Sequence, residues 1–434
     1  MAASVALHED FHSRSAESGD AAAYSVELID SKDPFLSLKR SWESLYAGDP
    51  ETGFFMSWGW ISSVFLRFPG RLRILAVRGS GRGSDYVAFF PVASRIRWSA
   101  SKQEFQGVLE AGGRPGLSEQ TGFLCDPAHE QGAIAATAAA VCALPWTRFS
   151  MRYEPTGRRS EIFLDSLPET GFRGQFGEWL INDGTVDNLA NPQVKLAASF
   201  DDYLAGLSSS TRQKVRRFTR RHMESGLWHV SQASGSNAER HIEILLELWN
   251  KQWGAQRRSS QARKTVSIYR HMLRTAHQMG ALHLPILWQD DTPLVAHGCI
   301  RDLDRSHVYF VLSGRNMQLE HHNSGMLLHC DSIRRAIDEG MSIYDFGHGD
   351  ESYKLSLGGI CQRLHYVTIN RLSDDLAQTV DTFNMTDPAR KIRHFIDKQD
   401  LQLARRACNQ MLEILEASQT RTGPALATIN DPEA

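Results

Sequence analysis

The order of helix and strand patterns between residues 199 and 371 limits the fold of this chain more than any other feature of the sequence. Three helical patterns are followed by three strand-like runs with short connections, LHLPILW, LVAHGCIRD and HVYFVLSG. A fourth helical pattern, SGMLLHCDSIRRAIDEG, leads into the strand SIYDFG, a polar loop and a last strand, RLHYVTIN. Helical and alternating spacings of apolar residues predict these two kinds of element. The order predicts an α/β unit with a three-stranded meander, a further helix and more strands.

The helices of this unit have recognisable ends and faces. Residues 208–210 are three serines, which are N-cap candidates, and Gly226 is a stop signal for the same helical pattern. In the next helix, apolar residues recur at helical spacing and form one stripe, which predicts that the helix packs on other parts of the protein. They are Ile242, Leu245, Leu246, Trp249 and Trp253.

The chain length and the composition of the connections predict two structured units. At roughly 100–200 residues per domain, 434 residues allow two domains or three. Helical patterns and the paired strands LRILAVR and YVAFFPVAS precede the polar connection INDGTVDNLANPQ. We predict a disordered extension at 1–23, a first unit at 24–190 and a second unit at 195–372. Residues 373–434 are predicted to form a helical tail with a disordered end.

Composition narrows the class of protein and its surroundings. Hydrophobic residues make up 41% of the chain and charged residues 23%, which is ordinary for a soluble globular protein. The formal net charge of -2 gives no overall field for nucleic acid or anionic lipid. The apolar run at 133–144 is too short to span a bilayer. The six cysteines are scattered along the chain, which favours reduced thiols. We expect a cytoplasmic protein without membrane insertion.

A basic helical stretch leaves two interpretations open. It contains Arg212, Lys214, Arg216, Arg217, Arg220 and Arg221. A solvated basic surface is one interpretation, and a binding surface for a polyanion such as a cofactor phosphate or an RNA backbone is the other. For the group His321, His322, His329 and Cys330, no metal-ligand spacing is present, and we predict no metal.

The loop before the fourth helix is a candidate anion site. Asn323, Ser324 and Gly325 open the helix, and Arg315 lies in the loop before it. A helix N-terminus offers unpaired N–H groups and a partial positive charge, and glycine allows close approach of a ligand. The alternative is an ordinary N-cap made by the Asn or Ser side chain.

The stretch YDFGHGDESYKLSLGG, residues 344–359, contains the candidate catalytic groups. On a strand, Ile343 and Asp345 would point to one side and Tyr344 and Phe346 to the other. A buried carboxylate needs hydrogen-bond partners or a chemical role, and Tyr353 and Lys354 are the nearest candidates for Asp345. The alternative is a structural clamp between Asp345 and Lys354 or the backbone.

In their order, these motifs resemble the GNAT acyltransferase superfamily, and in particular its BioF2-like branch, which is associated with CelD-type proteins of cellulose and polysaccharide biosynthesis. The shared features are STRQKVRRFTRRHMESG, LWNKQWG, LVAHGCI, HVYFVLSG, NSGMLLHCDSIRRAIDEG and YDFGHGDESYKLSLGG, over roughly residues 195–370. The first unit, with FFMSWGWISSVF and FFPVAS, is similar to the degenerate first copy of FemAB-like tandem enzymes. The resemblance implies two GNAT-like domains in tandem, an α/β (α+β) fold with mixed central sheets flanked by helices.

The resemblance also implies roles for individual residues. The acyl-CoA thioester would lie in a wedge between the strands HVYFVLSG and SIYDFG, with the pyrophosphate at the start of the fourth helix. The donor-binding residues would be Ser313, Arg315, Asn323, Ser324 and Gly325. The catalytic candidates are Asp345 as the base or base-orienting group, Tyr353 as the acid for the leaving thiolate, and Lys354, which would hold substrate charge or pair with Asp345 or Glu351. The expected acceptor contacts are Tyr344, Glu351 and Arg216.

The activity that the resemblance implies is transfer of an acyl group, with acetyl expected, from acyl-CoA to an amine or hydroxyl of a sugar nucleotide or polysaccharide precursor. Acyl-CoA would be a cosubstrate, and no cofactor would be bound permanently. The donor stays open, because the family's glycine-rich signature is reduced to NSGM and FemAB-like relatives use aminoacyl-tRNA. A FemAB-like ligase, which would bind tRNA, and a non-catalytic partner in polysaccharide assembly are the alternatives.

Overall fold

The computed structural model describes residues 24–79, 85–254, 259–318 and 323–419. The predicted extension at 1–23, most of the glycine-rich loop at 79–84, the pair His321 and His322, and the end of the chain from 420 lie outside the described residues. None of the helices in the described part is long and apolar enough to cross a membrane.

The strands of the described residues are numbered in chain order. They are β1 (Ser25–Ile29), β2 (Leu72–Arg78), β3 (Tyr86–Ser99), β4 (Glu104–Ala111), β5 (Leu124–Cys125), β6 (Arg148–Glu154), β7 (Phe172–Phe176), β8 (Leu180–Ile181), β9 (Val186–Asp187), β10 (Ala190–Lys195), β11 (Trp228–Gln232), β12 (Leu282–His283), β13 (Pro285–Gln289), β14 (Thr292–Asp302), β15 (His307–Arg315), β16 (Ile343–Asp345), β17 (Ile360–Arg363) and β18 (His365–Arg371).

The α-helices of the described residues are numbered in the same way. They are α1 (Lys32–Ser37), α2 (Lys39–Gly48), α3 (Trp58–Arg67), α4 (Glu130–Ala143), α5 (Gly157–Asp165), α6 (Phe200–Gly206), α7 (Ser209–Phe218), α8 (Ala238–Trp253), α9 (Ser259–Gln278), α10 (Ser324–Asp338), α11 (Ser352–Ser356), α12 (Leu376–Thr379), α13 (Thr386–Asp397) and α14 (Leu401–Gln419).

Two mixed sheets of eight strands each form the centre of the protein. The first has the order β1-β2-β3-β4-β6-β18-β7, with β5 beside β3. The second has the order β11-β13-β14-β15-β16-β10-β17, with β12 beside β14. Each contains an antiparallel meander, then a helix, then a strand parallel to the last meander strand, which is β4 with β6 and β15 with β16. The predicted mixed sheets with flanking helices are confirmed.

The first sheet also holds a strand from the second unit, and the second sheet holds one from the connection between the units. β18 lies between β6 and β7 in the first sheet, although RLHYVTIN was expected to be the last strand of the second unit. β10 lies between β16 and β17 in the second sheet. The sheet assignment of β18 therefore corrects the sequence analysis.

One hydrophobic core extends across both halves. It joins Trp42, Phe55 and Phe89 of the first half with Leu245, Leu273 and Tyr309 of the second. The ring centroids of Phe55 and Tyr309 are 5.2 Å apart. Helices α13 and α14 pack on the other side of the first sheet, where Phe395 and Ala407 contact Ile96 and Phe105.

The sequence signals for helix ends lie where α7 begins and where the turn after it ends. Ser208 caps α7 and accepts a hydrogen bond from the backbone N–H of Thr211 at 3.2 Å, as its place in the serine run predicted. Gly226, with φ at +74°, ends the turn that follows. The predicted stripe of α8 is buried at Ile242, Leu245, Leu246 and Trp249, whereas Trp253 at the end of the helix is 40% exposed.

Candidate functional site

The two parallel strands of the second sheet separate and leave a wedge between them. β15 and β16 pair at three positions only, the last of which joins Tyr309 to Asp345. β15 continues to Arg315 without a parallel neighbour in the described residues. Its register against β14 also shifts, because Gly298 opposes Leu312 while Cys299 opposes Phe310, so Val311 is the extra residue of a bulge. Bulges leave backbone groups outside the ladder and are common beside active sites.

A cleft of about 720 Å³ occupies this wedge. Its walls are the second half of β15, the start of α10, the segment after β16, and the helices α8 and α9. The lining side chains from these elements include Phe310, Val311, Ser313, Arg315, Asn323, Met326, Phe346, His348, Tyr353, Trp249, Trp253 and Tyr269. The first half of the chain adds Arg114, Leu117 and Glu119, so both halves build the cleft.

The five residues predicted to bind the donor all line this cleft. They are Ser313, Arg315, Asn323, Ser324 and Gly325. The Asn323 side chain makes no capping hydrogen bond to α10, and a Cβ added at Gly325 would meet no atom within 4 Å. The start of α10 is therefore open towards the cleft at Gly325. Whether these residues bind a donor stays a prediction.

Asp345 is held by residues that the sequence analysis did not connect with it. Its Oδ2 accepts hydrogen bonds from Asn191 Nδ2 at 2.9 Å and Gln193 Nε2 at 3.0 Å, both on β10. Its Oδ1 accepts from the backbone N–H of Gly347 at 2.7 Å, and His307 Nε2 lies 3.4 Å from Oδ2. Burial alone would raise the pKa of Asp345, but His307 and the hydrogen bonds hold it below its usual value.

These contacts argue against Asp345 as a base. The residue is 2% exposed and does not line the cleft, although it borders a small neighbouring cavity together with Glu119 and His348. A carboxylate with a lowered pKa and three hydrogen-bond donors has little tendency to take a further proton. Asp345 instead fixes β10 to β16 and to the loop that follows.

Lys354 also stabilises the loop after β16. Its buried Nζ donates to the carbonyl oxygens of His348 at 2.5 Å and Gly349 at 3.1 Å, and it lies 2.9 Å from Glu351 Oε2. Of the two pairings considered for Lys354, the structure contains the one with Glu351 and not the one with Asp345. Gly347, with φ at +71°, lets the loop pass β15, because a Cβ there would lie 2.7 Å from the carbonyl oxygen of Phe310.

Two predicted acceptor contacts need correction. Tyr344 is fully buried in a hydrophobic cluster, and its Oη lies 3.0 Å from His329 Nδ1, so it does not reach the cleft. Arg216 is exposed on α7 and does not line the cleft, whereas Lys214 of the same helix does. The sequence could not separate these basic residues, because it did not show which face of α7 meets the cleft. Glu351 and Tyr353 do line it.

The sequence analysis did not connect two histidines with the cleft, since it overlooked His297 and considered His329 only as a metal ligand. Burial lowers the pKa of His297 to about 3 and that of His329 well below its usual value, so both rings are neutral at pH 7. His297 Nδ1 is buried without a hydrogen-bond partner among the described residues. The sequence feature that could have indicated His297 is a histidine inside the apolar strand LVAHGCI.

Glu119 and His348 were also missed, although they face each other across the two halves. His348 Nδ1 lies 3.2 Å from Glu119 Oε2, and His348 Nε2 lies 2.8 Å from the backbone oxygen of Glu119. The Tyr153 ring stacks on His348 with centroids 3.7 Å apart. Burial raises the pKa of Glu119 to about 7, and Arg114 opposes this shift. No motif around Glu119 indicated this position.

No group of three or more His, Cys, Asp or Glu residues that could hold a metal ion occurs in the ranges that the structure describes. The arrangement has the parts needed for group transfer to an acceptor, namely an open helix N-terminus, a bulged strand edge and titratable side chains in one cleft.

Comparison with known proteins gives a family-model match for part of the chain and a shared fold for most of it. A search of curated proteins found no match. The crystal structure of FemX is similar with a TM-score of 0.52 and 12% identity, over 79% of this chain and 96% of that one. A tandem GNAT protein from the clavulanic acid biosynthesis pathway has a TM-score of 0.46 and 11% identity, over 80% and 99% of the two chains.

The likeness to FemX shows that the chain shares its fold. Within that fold, residues 209–355 match the family model described as an acetyltransferase (GNAT) domain. This segment runs from the start of α7 into α11 and contains the wedge between β15 and β16. This part of the second half is thus similar to GNAT acetyltransferase domains.

Proposed function

We propose that the protein is an acyltransferase that moves an acyl group, acetyl in the simplest case, from acyl-CoA to an amine or hydroxyl acceptor. The observation that carries this proposal is the wedge between β15 and β16, with the open start of α10 at one end. Beyond Tyr309, β15 has no parallel neighbour in the described residues, so its edge is accessible to an extended ligand with amide groups. The pantetheine arm of CoA is such a ligand.

The charges around the cleft support a phosphorylated donor. The N-terminus of α10 carries a partial positive charge, and Arg315 and Lys214 line the same cleft. The pyrophosphate of CoA would lie against Ser324 and Gly325, as the resemblance implies. The thioester would then lie deeper, near the bulge at Val311, where a backbone N–H would stabilise the negative charge on the carbonyl oxygen.

The leaving thiolate needs a proton, and Tyr353 lines the cleft close to where it forms. Burial, followed by the charge of Glu351, raises the pKa of Tyr353, so the phenol is protonated at neutral pH and available to the sulfur, as a weaker acid than an exposed tyrosine. The acceptor would enter beside Trp249, Tyr269 and Arg114 on the side of the first half. We propose a glycan precursor as the acceptor, in line with the resemblance to the BioF2-like and CelD-type branch.

A second donor, aminoacyl-tRNA, has support from one observation. The basic helix α7 leaves Arg216 and Arg217 exposed while Lys214 of the same helix reaches the cleft. A polyanion bound on this helix would lead its acylated end towards the wedge. The resemblance to FemAB-like enzymes suggests the same donor.

Thermal unfolding with acetyl-CoA, longer acyl-CoAs and total tRNA separates these proposals. A ligand at about 100 times its Kd stabilises the folded protein by roughly 2.7 kcal/mol. We expect stabilisation by acyl-CoA. Stabilisation by tRNA alone, weakening steeply with salt, would support the second donor. If no acyl-CoA and no tRNA shifts the midpoint, both transferase proposals are wrong and the non-catalytic alternative gains support.

A further inference from the structure

The first half of the chain contributes a carboxylate to the cleft of the second half. Glu119 follows the short helical turn Arg114–Gly116, which comes directly after strand β4. It lines both the main cleft and the small cavity that borders Asp345. Its side chain is 19% exposed, and that of His348 is 11% exposed. Both side chains are therefore shielded from bulk solvent but accessible from the cleft.

The hydrogen bonds of His348 fix its tautomer. A carbonyl oxygen only accepts, so His348 Nε2, at 2.8 Å from the backbone oxygen of Glu119, must carry a proton. Burial lowers the pKa of His348 to about 3, so the ring is neutral at pH 7 and has only this one proton. Its Nδ1 is then an acceptor that faces Glu119 Oε2 at 3.2 Å.

Two acceptors at this distance repel each other unless a proton lies between them. If Glu119 is ionised, its oxygen faces the lone pair of Nδ1. If Glu119 is protonated, it donates to Nδ1 and the contact becomes a hydrogen bond. The geometry therefore favours binding of one proton between Glu119 Oε2 and His348 Nδ1. The pair can also release this proton.

We propose that Glu119 and His348 form a dyad that binds one exchangeable proton between Glu119 Oε2 and His348 Nδ1 and takes the proton of the acceptor during transfer. The inference rests on the proposed acyltransferase function. Asp345 cannot easily fill this role, because its oxygens already accept three hydrogen bonds.

The charged and titratable groups around the dyad fit a base that works near neutral pH. Burial and the charge of Asp345 raise the pKa of Glu119, Arg114 and Lys354 oppose the rise, and the result is a pKa of about 7. Tyr153 stacks on His348 from the first sheet and closes that side of the ring. A base is most effective when its pKa lies near the working pH, because it is then both ionised and able to accept a proton.

The step balances as follows. The acceptor's N–H or O–H proton passes to Glu119, and the freed electron pair forms the new bond to the thioester carbonyl carbon. The C–S bond breaks and its electron pair leaves on the CoA sulfur. Tyr353 protonates the sulfur and is reprotonated by solvent, while Glu119 releases its proton to solvent.

Nitrogen NMR of histidine-labelled protein tests the dyad without any ligand. The His348 signals are identified by their loss in His348→Gln. In the wild type we expect a neutral ring with the proton on Nε2 throughout, and an inflection of the Nδ1 signal near pH 7 as Glu119 ionises. In Glu119→Gln, whose amide can donate to Nδ1 permanently, this inflection should vanish. Persistence of the same inflection in Glu119→Gln, or a proton on Nδ1 in the neutral ring, would overturn the proposal.

Release of CoA from acetyl-CoA, with water as the acceptor, tests the chemical role. We expect the wild-type rate to rise with pH through about pH 7 and to fall at least about 100-fold in Glu119→Gln, with acetyl-CoA affinity unchanged. Glu416→Gln, an exposed carboxylate on α14, is the matched control and should behave as the wild type. A wild type that binds acetyl-CoA but releases no CoA at any pH contradicts the proposal.

The two assays also separate the dyad from the function it rests on. If acetyl-CoA does not bind but the His348 inflection is present and depends on Glu119, the proposed donor is wrong and the proton-sharing pair stands. If acetyl-CoA binds and the inflection is absent, the dyad is wrong and the proposed donor stands.

Discussion

The carboxylate of Asp345 is surrounded by hydrogen-bond donors, which predicts how its substitution changes the stability of the protein. Asn191 and Gln193 donate to one oxygen and the N–H of Gly347 donates to the other. In Asp345→Asn an amide nitrogen replaces one oxygen, so at least one donor would meet another donor. A buried donor without a partner costs about 1–3 kcal/mol. We expect Asp345→Asn to lower the free energy of unfolding by about this amount in urea denaturation at neutral pH.

The pH dependence of this loss has a definite sign. Because the pKa of Asp345 is lowered in the folded protein, the stability it contributes is present above its unfolded pKa of about 3.9 and is lost as the pH falls further. The difference between wild type and Asp345→Asn should therefore be constant near neutral pH and shrink in acid. Asp304→Asn, an exposed carboxylate in the loop before β15, is the control. Equal stability of Asp345→Asn and the wild type would show that the three hydrogen bonds are not stabilising.

At the scale of residues, the sequence indicated that Asp345 needs partners but could not identify them. Asn191 and Gln193 lie about 150 positions earlier, in a stretch that looked like a polar connection. Glu119 could not be identified for the same reason, because its role depends on contact with His348, which lies on another element. Ser208 was predicted correctly, because a helix cap is a local contact.

Helix α10 offers a test in which stability and donor binding should change in opposite directions. Gly325 lies in its first turn and faces open space in the cleft. In Gly325→Asp, a carboxylate near the helix N-terminus should stabilise the helix by about 0.3–1 kcal/mol. The same charge should repel the phosphates of CoA and weaken acetyl-CoA binding at least about tenfold, or about 1.4 kcal/mol, in calorimetry.

The neutral variant Gly325→Asn separates charge from size. It has nearly the same volume as Gly325→Asp, so it should bind acetyl-CoA more tightly than the aspartate variant does. If the two variants bind acetyl-CoA equally well, the phosphates do not lie at the start of α10.

At the scale of elements, the sequence predicted what periodicity and chain order encode. The meander of β13, β14 and β15, helix α10 and strand β16 all occur in the predicted order. The bulge at Val311 had no signal, because the run HVYFVLSG is uniformly strand-like and a bulge depends on the register against β14. Similarly, the apolar stripe of α8 predicted burial of Trp249 but not the position of Trp253 at the mouth of the cleft.

The two halves of the molecule are joined by more than a shared interface. β18 is an interior strand of the first sheet, and β10 is an interior strand of the second. Arg305 of the second half donates to the carbonyl oxygens of Thr52 at 3.0 Å and Asp49 at 2.8 Å in the first. The sequence suggested a boundary near residue 190 because polar residues cluster there. It could not show that β18 belongs to the first sheet, since pairing between distant strands has no local signature.

The position of β18 in the first sheet predicts that the first half cannot fold by itself. A fragment of residues 24–189 contains β6 and β7 but lacks β18, which pairs with both, so interior backbone groups and the shared core would be exposed. We expect this fragment alone to show no cooperative unfolding by circular dichroism, whereas the full chain should show coincident transitions by circular dichroism and tryptophan fluorescence. The matched control is coexpression of residues 24–189 with residues 190–419, a pair that contains every strand of both sheets and should form a folded complex. A monomeric 24–189 fragment with a cooperative transition would mean that β18 is dispensable and that the two halves are independent domains.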